Sequence, residues 1–91
     1  MADVALKLYL MGGTAPSERA MLALERLREL LGDEHAVEVV DLRDRPEVAE
    51  TERIIATPLL VRTQPLPVRR VIGDLSDPER VLTTLGLRSR A

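Results

Sequence analysis

The chain has 91 residues, a net charge of −2 and a pI of about 5.4, and it contains no cysteine. A chain of this length predicts a single small domain over residues 1–91 with one modest core. The missing cysteines exclude disulfides, thiolate metal sites and cysteine nucleophiles. The acidic balance argues against a nucleic-acid partner, and so does Tyr9 as the only aromatic residue, because such proteins use basic surfaces and stack bases on aromatic rings.

The sequence also argues against a membrane protein. The N-terminal residues Met1 to Val4 lack the basic and apolar segments of a signal peptide. No apolar run is long enough to span a bilayer. We therefore expect a cytoplasmic protein with no membrane partner.

The first half of the chain predicts strand, helix, strand. Val4 to Met11 is apolar on both faces, as expected of a strand covered on both sides. Gly12-Gly13 ends this strand, and Thr14 or Ser17 can cap the helix that follows. Val37 to Leu42 is the second strand, and a right-handed crossover would make the two strands parallel neighbours. The helix has an apolar stripe at helical spacing, formed by Ala20, Ala23, Leu24, Leu27, Leu30 and Leu31.

The third quarter of the chain predicts a helix and a strand. Asp44-Arg45-Pro46-Glu47 has the character of an N-cap with a capping box. We expect the helix to continue until Thr57-Pro58 terminates it and to carry Val48, Ala49, Glu52 and Ile55. Leu59 to Thr63 is the strand that follows.

The last quarter predicts a second strand and a final helix. Gln64 to Pro67 is a turn, so that Val68 to Ile72 pairs back antiparallel on the preceding strand. The final helix starts at Ser76 or Asp77, with Pro78 at a permitted early position. Its buried face is predicted to be Val81, Leu82 and Leu85.

The resulting order, βαβαββα, is that of a thioredoxin-like α/β fold. That fold places a proline, usually cis, just before its third strand, and Pro58 stands there. An X-Pro bond adopts the cis form at a cost of only about 0.5–1 kcal/mol and exchanges over tens of seconds or more. Slow exchange is therefore expected at Pro58, Pro65 and Pro67.

No residue constellation predicts chemistry. Thioredoxins that carry out redox reactions open the first helix with two cysteines, and the corresponding residues 12–17 contain no thiol. Gly12-Gly13-Thr14 could cradle an anion, but a tight strand-to-helix turn is favoured. His35, beside Asp33 and Glu34, is expected to be an exposed loop histidine rather than a general base or metal ligand. We expect no enzyme, no metal and no cofactor.

Three arginines are candidates for a partner contact: Arg53, Arg69 and Arg70. A solvated face is the usual fate of such charges. Arg69 and Arg70, however, are consecutive in a predicted strand and therefore point to opposite faces. The second strand is expected to lie at a sheet edge, where a partner strand can add by β-augmentation.

Two runs resemble the KaiB family of circadian clock proteins. They are Ala56-Thr57-Pro58-Leu59-Leu60 and the run from Pro65 to Asp77, which ends in Gly73-Asp74-Leu75-Ser76-Asp77. The resemblance continues over almost the whole chain, including Leu6-Lys7-Leu8-Tyr9 and Val39-Val40-Asp41-Leu42. Similar sequence also occurs in the sensor domain of the clock histidine kinase SasA.

The resemblance implies a non-enzymatic regulator that binds the hexameric ATPase KaiC and captures KaiA on that ring. It also implies a fold switch between a βαββααβ ground state, commonly tetrameric, and a thioredoxin-like monomer that binds KaiC. By position, the family's basic binding residues correspond to Arg19, Arg53, Arg69 and Arg70. The residues to which the resemblance assigns the fold switch are Pro58, Pro65, Pro67, Gly73, Asp74 and Pro78.

Departures from the family pattern modify this expectation. Pro78 replaces an Arg or Lys, and residues 84–89 lack the family's apolar and aromatic ending. Because proline favours a first helical turn, we expect the thioredoxin-like state and mainly a monomer, with a homotetramer as the alternative. Glu38 replaces a basic residue of family members that bind KaiA. We therefore expect KaiC to be bound and KaiA not to be held tightly.

Three rival hypotheses remain. The first is a stand-alone SasA-like sensor or adaptor domain that recruits a signalling kinase or another partner. The second is a thioredoxin-fold transferase or reductase that uses an external thiol, for which the sequence offers only Thr57-Pro58. The third is a purely structural assembly subunit.

Overall fold

The fold is a four-stranded mixed sheet with three helices, in a computed structural model that describes residues 3–33 and 35–89. The strands lie in the order β2-β1-β3-β4. The elements follow the predicted order βαβαββα: β1 (Val4–Leu10), α1 (Ala15–Leu31), β2 (His35–Asp41), α2 (Pro46–Thr51), β3 (Leu59–Gln64), β4 (Arg69–Ile72) and α3 (Pro78–Thr84). Within the described ranges, no helix combines the length and apolarity needed to cross a membrane.

The sheet has two central and two edge strands. β1 pairs parallel with β2, from Val4 opposite His35 to Leu10 opposite Asp41, as predicted for a right-handed crossover. β1 also pairs antiparallel with β3, and β3 pairs antiparallel with β4. The central strands are therefore β1 and β3, while β2 and β4 are the edges.

Both faces of the central strands are covered, which explains their apolar runs. One face packs under α1 and α3, where Leu8, Leu27, Leu60 and Leu85 have no exposed surface. The predicted apolar faces of these helices are confirmed, since Val81 and Leu82 are buried as well. The opposite face packs near α2 and contains Tyr9, Val40, Leu42, Leu59 and Val61.

The start of α1 is fixed by a local pair of hydrogen bonds. Thr14 is the N-cap, and its Oγ1 accepts a bond from the Ser17 backbone N–H at 3.2 Å. The Thr14 backbone N–H donates in return to Ser17 Oγ at 3.3 Å. The two residues that were alternative caps in the sequence thus form one capping box.

The prediction for α2 was wrong at both ends. Its N-cap is Arg45 instead of Asp44, because the residue before Pro46 is disfavoured in the helical conformation. The helix ends at Thr51, and Arg53 takes a left-handed φ of 55°. Ile55, predicted on the helix, lies beyond it and is 92% exposed.

The β3–β4 connection carries two of the three predicted prolines. The bonds Gln64-Pro65 and Leu66-Pro67 are cis, and so is Thr57-Pro58 before β3. β3 extends one residue further than predicted, to Gln64, and β4 begins at Arg69 rather than Val68.

A buried arginine joins β3, the β3–β4 turn and α3. Arg62 is only 4% exposed, and its Nη1 donates to the Leu85 carbonyl at 2.6 Å. Its Nη2 donates to the Pro67 carbonyl, also at 2.6 Å. Arg62 forms no ion pair with a carboxylate of the described residues, and its Nε has no partner there. Two backbone carbonyls therefore take the place of a counter-ion.

The same arginine explains Gly86. Gly86 follows α3 with a φ of 70°, in the left-handed region where glycine ends helices readily. A Cβ at this position would lie 3.0 Å from Arg62 Nη1. The guanidinium and the helix end are therefore packed against each other without room for a side chain.

A second polar contact closes the turn between β1 and α1. Asp41 accepts hydrogen bonds from the Gly12 N–H at 3.1 Å, the Arg43 N–H at 2.9 Å and Arg43 Nη2 at 2.8 Å. A Cβ at Gly12 would collide with the Asp41 carboxylate and the Arg43 guanidinium. The hydrogen bonds from Arg43, chiefly those from its side chain, lower the pKa of Asp41 to about 2.

We predict that Arg62→Ala destabilises the protein by about 2–4 kcal/mol, because it leaves two carbonyls unpaired and removes a buried side chain. Urea unfolding measures this change. Amide hydrogen exchange should also quicken in α3. The matched control is Arg69→Ala at the exposed cross-strand neighbour, where we expect a change within about 0.5 kcal/mol. Equal effects of the two substitutions would contradict a special role for Arg62.

We predict that Asp41→Asn makes stability less sensitive to acid. The pKa of Asp41 is lowered in the folded state, so its contribution is complete above the ordinary value of 3.8 and is lost as the pH falls towards 2. Thermal unfolding at neutral pH and across this acid range measures the effect. Asp44→Asn, which removes a carboxylate that accepts none of these bonds, is the control. A wild-type and Asp41→Asn pair with parallel acid profiles would refute the prediction.

Candidate partner-binding surface

A groove of about 570 Å³ opens where α1, the start of β3 and the segment after β4 meet. We call it the Pro58 groove. Pro58 is buried at its base, and the exposed Arg19 of α1 lies on one wall. The opposite wall is formed by Gly73, Asp74 and Ser76. The groove thus brings together Arg19, predicted as a binding residue, with Pro58, Gly73 and Asp74 of the predicted fold-switch set.

The Pro58 groove carries both signs of charge. Asp74 Oδ1 accepts a hydrogen bond from the Ser76 N–H at 2.9 Å. Hydrogen bonding to Ser76 lowers the pKa of Asp74, and the positive charges of Arg19 and Arg80 add to this effect. Asp74 is therefore held as a carboxylate, with an arginine on the other wall. Such an arrangement suits recognition of a polar protein surface.

Arg53 and Arg70 lie together at another place, beside Glu52. Arg70 Nη2 donates to the Glu52 carbonyl at 3.4 Å, and Arg53 is the next residue along the chain. Ile72 is on the same sheet face as Arg70 and is 53% exposed. Together with the exposed Ile55, they form a surface that combines positive charge with apolar side chains.

Arg69 points to the opposite sheet face, as predicted for consecutive strand residues. It is exposed and pairs across the strands with the buried Arg62. A Cβ on Gly86 would lie 3.5 Å from its guanidinium. The four predicted binding arginines are therefore distributed over three places: the Pro58 groove, the Glu52 surface and the end of α3.

The remaining predicted fold-switch residues lie in the C-terminal half of the chain. Pro65 and Pro67 are exposed in the β3–β4 turn. Gly73 follows β4 with a φ of 93°. Pro78 is the first residue of α3, and the N-cap is Asp77, which accepts from the Arg80 N–H at 3.2 Å. The cap is thus Asp77 and not Ser76.

The stretch that corresponds to a redox motif is a structural turn. The Gly12 N–H is already bonded to Asp41, and Gly13 has a φ of 80°. The favoured interpretation of Gly12-Gly13-Thr14 as a tight turn is confirmed, since a carboxylate of the protein itself occupies the place of an anion.

The prediction for His35 was wrong. The residue begins β2 opposite Val4 and is half-buried, not an exposed loop residue. Both ring nitrogens are shielded from solvent and have no hydrogen-bond partner in the described part of the chain. Pairing with β1 draws the ring against the sheet, an effect that the local sequence does not contain. Its neighbour Glu34 lies outside the described residues.

Sequence reasoning missed Arg62 and Arg80. Arg62 lies within a predicted strand between apolar residues, so burial could have been inferred from its place in a central strand. Arg80 is exposed on α3 near Asp74 and faces a second groove, between α3 and β4. Only the packing of α3 against β4 brings Arg80 next to the strand.

Comparison with known proteins identifies relatives over nearly the whole chain. A family model described as KaiB domain matches residues 7–87. The circadian clock oscillator protein KaiB of Synechococcus elongatus is 47% identical over 83 residues, which cover 90% of this chain and 81% of that protein.

Solved structures with the same fold include the N-terminal domain of Synechococcus elongatus SasA. It matches with a TM-score of 0.73 and 20% identity, covering 94% of this chain and 86% of that one. A chloroplastic thioredoxin z matches with a TM-score of 0.77 and 19% identity, covering 91% and 75% of the two chains. These likenesses show a thioredoxin-like fold, as predicted. The match of the family model and the high identity to a clock protein together show that this chain belongs to the KaiB family.

Proposed function

We propose that this protein is a non-enzymatic KaiB-type clock regulator that docks on a KaiC-like hexameric ATPase and modulates its ATPase and phosphorylation cycle. The observation that carries this proposal is the combination of a KaiB-family sequence with a thioredoxin-like tertiary structure. The family resemblance associates that form with the monomer that binds KaiC. Residues 1–91 act as a single domain in this proposal.

The Pro58 groove and the Glu52 surface are the proposed contacts with the ring. Arg19 and Arg70 are exposed, and neither forms an ion pair with a carboxylate of the described residues. Arginines in this condition are suited to bidentate contacts with carboxylates of a partner. Ile55 supplies exposed apolar area beside them, which removal from water would stabilise.

KaiA is proposed to bind weakly. Glu38 lies on the edge strand β2, and its Oε1 is 3.8 Å from Lys7 Nζ. The family members that bind KaiA have a basic residue here, so the charge is reversed. Tight capture of a KaiA homologue by this protein on the ring would refute this part of the proposal.

A stand-alone SasA-like sensor or adaptor domain is the second candidate, favoured by the shared fold with the SasA N-terminal domain. The two candidates differ in the partner. Binding to a sensor kinase without binding to a KaiC homologue would favour the adaptor.

We predict that the protein in solution is mainly a thioredoxin-like monomer. Pro78 at the first position of α3 and the Asp77 cap both stabilise a helix there. Backbone chemical shifts should report a helix over residues 78–84, and gel filtration should give the monomer mass. Strand-like shifts at Val81 to Leu85, or a tetramer, would show that the other fold is the resting state.

We predict rapid co-elution with a KaiC homologue from the same source on gel filtration in the presence of nucleotide. Arg19→Glu and Arg70→Glu should each weaken binding by roughly tenfold or more, equivalent to about 1.4 kcal/mol. Arg26→Glu, on the exposed side of α1, is the matched control and should bind as the wild type does. Failure of the wild-type protein to co-elute would overturn the proposal.

A further inference from the structure

We propose that the outer edge of β4, with the groove beside it, binds an extended acidic segment of a partner protein as an added antiparallel strand. This inference does not depend on the partner proposed above, because it concerns the chemistry of the segment rather than the protein that carries it.

The β4 edge has backbone groups in position to pair with another strand. β4 is last in the sheet order, so within the described residues only β3 pairs with it. The Gly73 N–H donates to the Pro58 carbonyl at 3.0 Å. Bonded and non-bonded pairs alternate in an antiparallel ladder, so Val71 bonds to β3 while Arg70 and Ile72 direct their N–H and C=O groups outward.

A groove of about 420 Å³ runs beside this edge, between β4 and α3. We call it the β4 groove. Val71 and Ile72 of the strand and Val81 of the helix supply its apolar lining. Ile72 is 53% exposed, although it occupies a strand position that would be covered in a central strand. An added strand would therefore gain both backbone hydrogen bonds and a place for an apolar side chain.

The charge available in the β4 groove is positive. The acidic residues on its rim are already engaged, since Asp74 accepts from the Ser76 N–H and Asp77 accepts from the Arg80 N–H. In contrast, Arg80 forms no ion pair with any carboxylate of the described residues. The side chain of Arg70 has only the Glu52 carbonyl as a partner.

Arg69 and Arg70 extend this charge to both faces of the edge. Because consecutive strand residues point to opposite faces, a strand with two consecutive carboxylates places one beside each arginine. A second copy of this chain fits less well. Antiparallel pairing of two β4 edges would bring the two pairs of arginines close together, and like charges across a ladder are destabilising.

The first test uses a fluorescein-labelled eight-residue peptide with two consecutive glutamates between valines. Two control peptides have lysines in place of the glutamates or N-methyl groups on the backbone. We expect the acidic peptide to shift the amide resonances of β4 and α3 in the full chain. Each control peptide should bind at least tenfold more weakly in anisotropy titrations, because the first loses the charge pairing and the second the backbone bonds.

The second test separates the backbone edge from the charge. Ile72→Pro removes an outward N–H but no bond to β3, and it should abolish peptide binding. Ile72→Val, which keeps that N–H, is the matched control. The double variant Arg70→Glu, Arg80→Glu should instead prefer the lysine peptide. Amide spectra of each variant establish that the fold is retained.

Four outcomes would overturn the proposal. They are shifts confined to β2, equal binding of the acidic and lysine peptides, no shift at roughly millimolar peptide, and concentration-dependent self-association through β4. Binding of the acidic peptide at β4 without binding to a KaiC homologue would support this inference while refuting the proposed function. The opposite pair of results would do the reverse.

Discussion

The position of α3 depends on one buried guanidinium. Arg62 occupies the covered face of a central strand, and its only described hydrogen-bond partners are the carbonyls of Leu85 and Pro67. A buried charge is tolerated only where polar groups surround it. The end of α3 and the β3–β4 turn must therefore stay close to β3 as long as Arg62 is buried. The apolar contacts of Val81 and Leu82 supply area, whereas Arg62 adds direction.

This constraint also shapes the surface. By holding α3 against β4, it creates the β4 groove and places Arg80 beside the edge strand. The Pro58 groove lies nearby and shares Asp74 with it. Two recognition surfaces thus adjoin the segment 73–77, one formed with α1 and the other with α3. A partner that covered both would contact the residues in which the family resemblance is most specific.

Particular residues show how far sequence reasoning reached. Thr14 and Ser17 were both identified as caps because the capping box is local in sequence. The opposite directions of Arg69 and Arg70 followed from strand geometry alone. The sequence did not reveal which arginines would be neighbours, since the approach of Arg70 to Glu52 depends on how the 52–58 segment returns to the sheet. Arg80 was missed for the same reason.

The sequence by itself determined the order of the elements, the buried faces of α1 and α3, the turn at Gly12-Gly13 and the family. These features depend on periodicity, caps and short motifs, which act over a few residues. Only the tertiary structure decided the early end of α2, the half-burial of His35 and the contacts of Arg62. In each case the deciding partner is distant in the chain: β3 requires the preceding segment to turn back, β1 covers His35, and the carbonyl of Leu85 lies 23 residues beyond Arg62. Local propensity cannot encode such contacts, because they form only when the sheet and helices pack.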